Sequence, residues 1–123
     1  MKKLNAQEIL DKLQNFPNWN FLNNGIEKHF KFDDFITTFK VMDAIATVAE
    51  AQNHHPEWFN VYNKLHIRLT THDCGGVSDK DFELAAAIEK IIAKHLMYLF
   101  LDSNEIKPSK INQIEINIKK QAL

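Results

Sequence analysis

The chain has 123 residues, enough for one domain around one hydrophobic core, and its 45% apolar and 25% charged residues are the balance of an ordinary soluble globular protein. A formal charge of -1 and a single arginine, Arg68, argue against direct nucleic-acid binding, which draws on a basic surface and bidentate arginine contacts. A single cysteine, Cys74, excludes an internal disulfide and a cysteine-based zinc site, and with neither a bilayer-length apolar run nor a signal peptide the expected location is cytoplasmic and away from membranes.

Asn5 followed by Glu8 has the spacing of a capping box, and Leu4, Ile9, Leu10 and Leu13 then describe a short amphipathic helix that Pro17 ends. Trp19 to Leu22 reads as a strand. Asn23-Asn24-Gly25 supplies turn residues that tolerate positive φ. In the strand that follows, Ile26, Lys28, Phe30 and Phe32 share one face, with Lys28 interrupting it, and Glu27, His29 and Lys31 share the other. Asp33 or Asp34 caps a second helix running to about Gln52. Its expected buried stripe is Phe35, Phe39, Met42, Ala46 and Ala49, widened by Ile36, Ile45 and Val48.

Pro56 stops any helical continuation through Asn53-His54-His55. Phe59 to Tyr62 and Leu65 to Thr71 read as two strands joined at Asn63-Lys64, with Leu65, Ile67 and Leu69 facing one way and His66, Arg68 and Thr70 the other. Ser78 with Asp81 is a capping signal for a third helix to about Leu101, whose apolar face is Phe82, Ala85, Ala86, Ile88, Ile92 and Leu96. The order α-β-β-α-β-β-α predicts an α+β fold, a four-stranded antiparallel sheet with three helices on one face. After Asp102, Ile114, Ile116 and Ile118 alternate with polar residues, the pattern of an added strand; a frayed tail or a second contact surface are the alternatives.

Six histidines carry most of the available chemistry. His29, His66 and His95 sit within regular elements, where surface or half-buried placement is the ordinary role. His54, His55 and His72 lie at segment ends. Glu50 is one helical turn before His54, placed to orient an imidazole, and His72 precedes Gly75-Gly76, where the backbone can turn sharply. Imidazole exchanges protons in both directions near neutral pH, so acid/base catalysis, a metal site and incidental placement all remain open on residue type alone. Asp81 has a cap as its first role. Trp19, Trp58 and Phe59 suit the core, an interface or the rim of a cleft.

The stretch from Glu50 to Asp81, with Glu50, His54, His55, Pro56, Tyr62, His72 and Asp81 in order, resembles the pterin-4a-carbinolamine dehydratase family, and the likeness runs over about residues 4 to 98. It implies a four-stranded antiparallel sheet with three helices on one side, assembled as a homodimer through sheet edges or a homotetramer through helices. The implied activity is loss of water from 4a-hydroxytetrahydrobiopterin, giving quinonoid dihydropterin for tetrahydropterin recycling in aromatic amino acid hydroxylation. No cofactor or metal is implied, because the pterin is the substrate. On the family's pattern His54 and His72 are the acid/base residues, His55 binds and orients the pterin, and Glu50 supports the cluster. Thr71 and Asp81 are expected at the substrate, with Trp19 closing one side.

Two departures stand out. Asn53 occupies a position where animal members have aspartate, and the chain continues past the usual end near Leu101, so residues 1–101 are assigned to the dehydratase-like domain and 102–123 to a C-terminal extension. The alternative function is a non-catalytic dimerisation or regulatory binding protein on the same fold; animal relatives also bind a homeodomain transcription factor, a role that active-site residues do not carry over.

Overall fold

The computed structural model describes residues 1–102, with side chains through Met97. The chain enters through the reciprocal cap that its sequence spells: Glu8 N donates to Asn5 Oδ1 at 2.9 Å, and Asn5 N donates to Glu8 Oε1 at 3.1 Å. Helix α1 follows over Ala6–Leu13. Strand β1 (Asn20–Leu22) starts one residue later than expected, and Asn23 and Asn24 turn it into β2 (Gly25–Lys31) with φ of 51° and 62°. Such paired left-handed residues match the twist of a two-residue hairpin. Gly25 has a steric reason as well: a Cβ there would overlap the Arg68 guanidinium, which crosses the turn and donates to the carbonyls of Leu22 and Asn23.

Of the two candidate caps for α2 (Phe35–Gln52), the structure uses Asp34, whose side chain accepts from Thr37 N at 2.7 Å. Strands β3 (Glu57–Val61) and β4 (Lys64–Leu69) form the second hairpin, and α3 covers Asp79–Asp102. The four strands lie in the order β1-β2-β4-β3, every neighbouring pair antiparallel. This is the α+β arrangement the element order predicted, with the helices on one face. The proposed strand after Asp102 lies outside the described residues. Among the described residues no helix is long and apolar enough to cross a membrane.

The core fills the space between sheet and helices. Ile26, Leu65, Ile67 and Leu69 come from the sheet, Val41, Ile45 and Ala49 from α2, and Leu84, Ala85 and Ile88 from α3; each is at most 1% exposed. Lys28, the interruption on the β2 core face, is accounted for by Glu89 of α3. Its Nζ lies 2.6 Å from Glu89 Oε1, and the same oxygen accepts from Trp19 Nε1 at 2.8 Å. A charge pair joined by a second hydrogen bond, from the Trp19 indole, makes that lysine tolerable beside the core.

The α2 stripe differs from expectation. Its buried residues are Thr37, Thr38, Val41, Ile45 and Ala49, whereas Phe35, Ile36 and Phe39 are 43%, 62% and 57% exposed. Both sets repeat at helical spacing, and apolarity favours the aromatic one. The threonine face is viable because the Thr38 hydroxyl returns to Asp34 O at 2.7 Å, so burying it leaves no polar atom unpaired. On α3, Leu84 and Ala93 join the buried set and Leu96 is 44% exposed.

Candidate active site

Three chain segments converge at one end of the sheet, and each is fixed by backbone chemistry. The first is the end of α2. Asn53 takes a left-handed φ of 52°, its N–H returns to Glu50 O at 3.1 Å, and the N–H of His54 reaches Ala49 O at 3.0 Å. This double closure is a Schellman motif, and asparagine is among the few non-glycine residues at ease in that conformation. Pro56 then blocks any return to helix, so His54 and His55 occupy a corner whose direction is set by the backbone.

The second segment follows β4. Thr71 N donates to Gly76 O at 2.8 Å, and Gly76 N returns to Thr71 O at 3.3 Å. This small bridge closes a loop around a 3-10 turn, His72–Cys74, that ends at Gly75 with φ 74°. Cys74 serves the same loop, its half-buried thiol lying 3.5 Å from Thr71 O and 3.6 Å from Gly76 O. Beyond it, Val77 O accepts from Leu4 N at 2.8 Å and ties the loop to the entrance of α1.

The third segment is the start of α3. Asp81 has no exposed surface and receives three donors. One oxygen, Oδ1, lies 2.6 Å from His54 Nε2; the other accepts from Thr71 Oγ1 at 2.8 Å and from Ser78 N at 2.9 Å. Because the Thr71 hydroxyl proton is committed to Asp81, the 2.7 Å contact between Thr71 Oγ1 and Ser78 Oγ has Ser78 as its donor. Ser78 Oγ in turn accepts from Lys80 N at 3.3 Å. Asp81 is thus both the helix cap foreseen from its spacing and the partner of a buried imidazole. Facing a carboxylate, the His54 ring presents Nε2 as its donor.

These segments enclose a cleft of about 240 Å³ lined by Asn53, His54, His55, Thr70, Thr71, His72, Asp73 and Lys80. His54, His55, His72 and Thr71 are therefore brought together. Their environments differ: His54 is buried, while the His55 and His72 side chains are 61% and 83% exposed. Glu50 pairs with His55, at 3.3 Å, rather than with His54. Asp81 stands behind His54 and outside the lining, and the Thr71 hydroxyl is turned inward to it. Trp19, expected to close one side, is 4% exposed and held in the core by Glu89, away from the cleft lining.

Sequence reasoning missed Lys80 in the lining and Glu57, whose Oε1 stands 3.8 Å from His72 Nε2 while its other oxygen pairs with Arg68 at 3.0 Å. The Glu57 position depends on the β3–β4 register, which sets Glu57 opposite Arg68. Among the described residues, the histidine and carboxylate donors that approach within 4.8 Å of one another as a group of three are Glu27, His29 and His66, on the open face of the sheet.

Comparison with known proteins points the same way as the geometry. A family model described as pterin 4 alpha carbinolamine dehydratase matches residues 2–91. The chain is 51% identical over 92 residues to a Christiangramia forsetii protein named for pterin-4-alpha-carbinolamine dehydratase, covering 75% of this chain and 95% of the relative. A Solibacter usitatus protein named for the same activity is 50% identical over 91 residues, covering 74% and 96%. Among solved structures, the chain is similar to a transcriptional coactivator/pterin dehydratase from Brucella melitensis, with a TM-score of 0.72 and 36% identity over 73% of this chain and 98% of that one.

Proposed function

The chain belongs to the pterin 4 alpha carbinolamine dehydratase family, and from that membership we propose that it removes water from a 4a-hydroxytetrahydropterin by histidine acid/base catalysis in the cleft between α2, the loop after β4 and α3. The product is quinonoid dihydropterin, whose reduction returns tetrahydropterin to aromatic amino acid hydroxylation. The elimination is redox-neutral. The 4a-hydroxyl leaves with a proton as water, a ring nitrogen gives up a proton, and a carbon–nitrogen double bond forms. One group must donate and another accept, a task suited to two imidazoles of opposite protonation.

The observation that carries this reading is the buried His54–Asp81 contact of 2.6 Å at a cleft whose rim holds His55 and His72. Asp81 fixes the His54 ring and its tautomer and acts as a positioning residue. His72, on its exposed turn, is the second acid/base group. His55, steadied by Glu50, orients the heterocycle, with Thr71 contributing backbone to the wall. The reading places the enzyme in the cytoplasm.

We also propose a homo-oligomer, a dimer or a tetramer. Support comes from the exposed Phe35, Ile36 and Phe39 on α2 and from edge strand β3, which leaves Phe59, Val61 and the following Tyr62 more than half exposed. The test of the catalytic reading is the appearance of quinonoid dihydropterin from synthetic 4a-hydroxytetrahydropterin. Acceleration by the protein that is lost when His54 and His72 are both replaced by alanine supports it, and unchanged activity in that variant rejects it.

A further inference from the structure

The face of the sheet away from the helices carries a second arrangement of histidines that the dehydratase reading leaves unused. The β2–β4 register sets His29 directly opposite His66, and their rings stack with centroids 4.0 Å apart and planes within 5° of parallel. Glu27 lies two residues before His29, hence on the same face. Its Oε2 is 3.9 Å from Arg68 Nη1, which leaves Oε1 turned to His66 Nε2 at 3.5 Å. That Nε2 is buried and makes no hydrogen bond. A buried ring nitrogen without a hydrogen bond, with a second imidazole alongside and a carboxylate oxygen 3.5 Å away, gathers three donors suited to a cation.

We propose that Glu27, His29 and His66 bind a divalent first-row transition cation, zinc above all. Two imidazoles and a carboxylate are a donor set for zinc, and a carboxylate beside stacked rings supplies the negative charge that the pair lacks. One donor atom from each residue lies within 4.8 Å of the others. A metal lies in the plane of each imidazole it binds and these two planes are parallel, so, with donors about 2.1 Å from a tetrahedral zinc standing roughly 3.4 Å apart, closure asks the exposed His29 ring to turn out of the stack and Glu27 to turn with it. Three protein ligands leave one position open to solvent. Lys31 and Lys64, paired on the next rung, and Arg68 on the preceding one favour an anion or hydroxide there. Access is through a hollow of about 440 Å³ bordered by His29, His66, Phe59 and Val61. The site shares no residue with the cleft holding His54, so the inference stands independently of the proposed activity.

The experiment is calorimetric titration of the full chain, freed of metal by a chelator, with zinc chloride, repeated with cobalt(II) to read the coordination by visible absorption. The expected result is one zinc per chain, with affinity falling in His29→Ala, His66→Ala and Glu27→Gln by at least the roughly tenfold seen when a metal ligand loses a supporting partner. The His54→Ala/His72→Ala double variant should bind as the wild type does. Zinc should also raise the melting temperature of the wild type and leave that of His29→Ala unmoved. His29 is exposed, so that variant keeps the test informative if His66→Ala fails to fold. Absence of stoichiometric zinc binding, affinity retained in His29→Ala, or binding lost with His54 and His72 would each overturn the proposal.

Discussion

Asn53 and Asp81 show how single residues set the cleft. Asn53 holds a left-handed φ of 52° immediately before His54. Asn53→Ala should therefore lower stability by about 1 kcal/mol, while Asn53→Gly stays near the wild type, a contrast that equilibrium urea unfolding resolves. Asp81→Asn cannot accept from all three of its donors, because one carboxylate oxygen becomes an NH2 group. We expect a stability loss of about 1–3 kcal/mol. We also expect a fall in kcat larger than any rise in KM, since Asp81 touches His54 and lies outside the cleft lining. A change confined to KM would assign Asp81 a different role. The cap between Ser78 and Asp81 was legible because it spans three residues. The His54–Asp81 contact spans 27, and only the packing of α3 beside the end of α2 creates it. The His29–His66 pair was hidden in the same way: each residue's face could be read, but not the register that joins them.

At the scale of elements, the sequence read best where a local signal bounds a segment. The caps at Asn5 and Asp34, the Asn23-Asn24 turn and the Pro56 break all appear where backbone chemistry demands them. Which face an element buries was less legible. On α2, two stripes satisfy the helical period, and the sheet takes the one containing Thr38 and Val41. On β2, Lys28 looks misplaced until Glu89, 61 residues later, is beside it. Glu89→Ala leaves Lys28 and the Trp19 indole unpaired and should cost about 3–5 kcal/mol, whereas the Lys28→Met/Glu89→Leu pair should recover much of that loss in urea unfolding. The Asp34 cap carries a pH signature. The backbone N–H of Thr37 holds its carboxyl below the ordinary aspartate value. Its contribution is complete above the unfolded value of about 3.9 and is lost as pH falls through the lower folded value. Thermal melts of wild type and Asp34→Ala should differ by a constant margin near neutral pH and converge in acid.

The whole molecule joins a site at one end of the sheet to surfaces that the isolated chain leaves uncovered. Phe35, Ile36 and Phe39 repeat along the outer side of α2, with the two phenylalanine rings 6.3 Å apart. If the chain assembles through this helix, Phe35→Asp/Phe39→Asp should lower the mass found by sedimentation, whereas an assembly through β3 should keep its mass in that variant and lose it on changing the edge strand. The Brucella melitensis relative is described as a transcriptional coactivator as well as a pterin dehydratase, so catalysis on this chain is what most needs direct measurement. That measurement is the initial rate at which chelator-treated protein converts synthetic 4a-hydroxytetrahydropterin to quinonoid dihydropterin. The account predicts clear acceleration over the buffer reaction, reduced about 100- to 10,000-fold when His54 and His72 are both alanine. No acceleration, or a rate indifferent to both histidines, would contradict it.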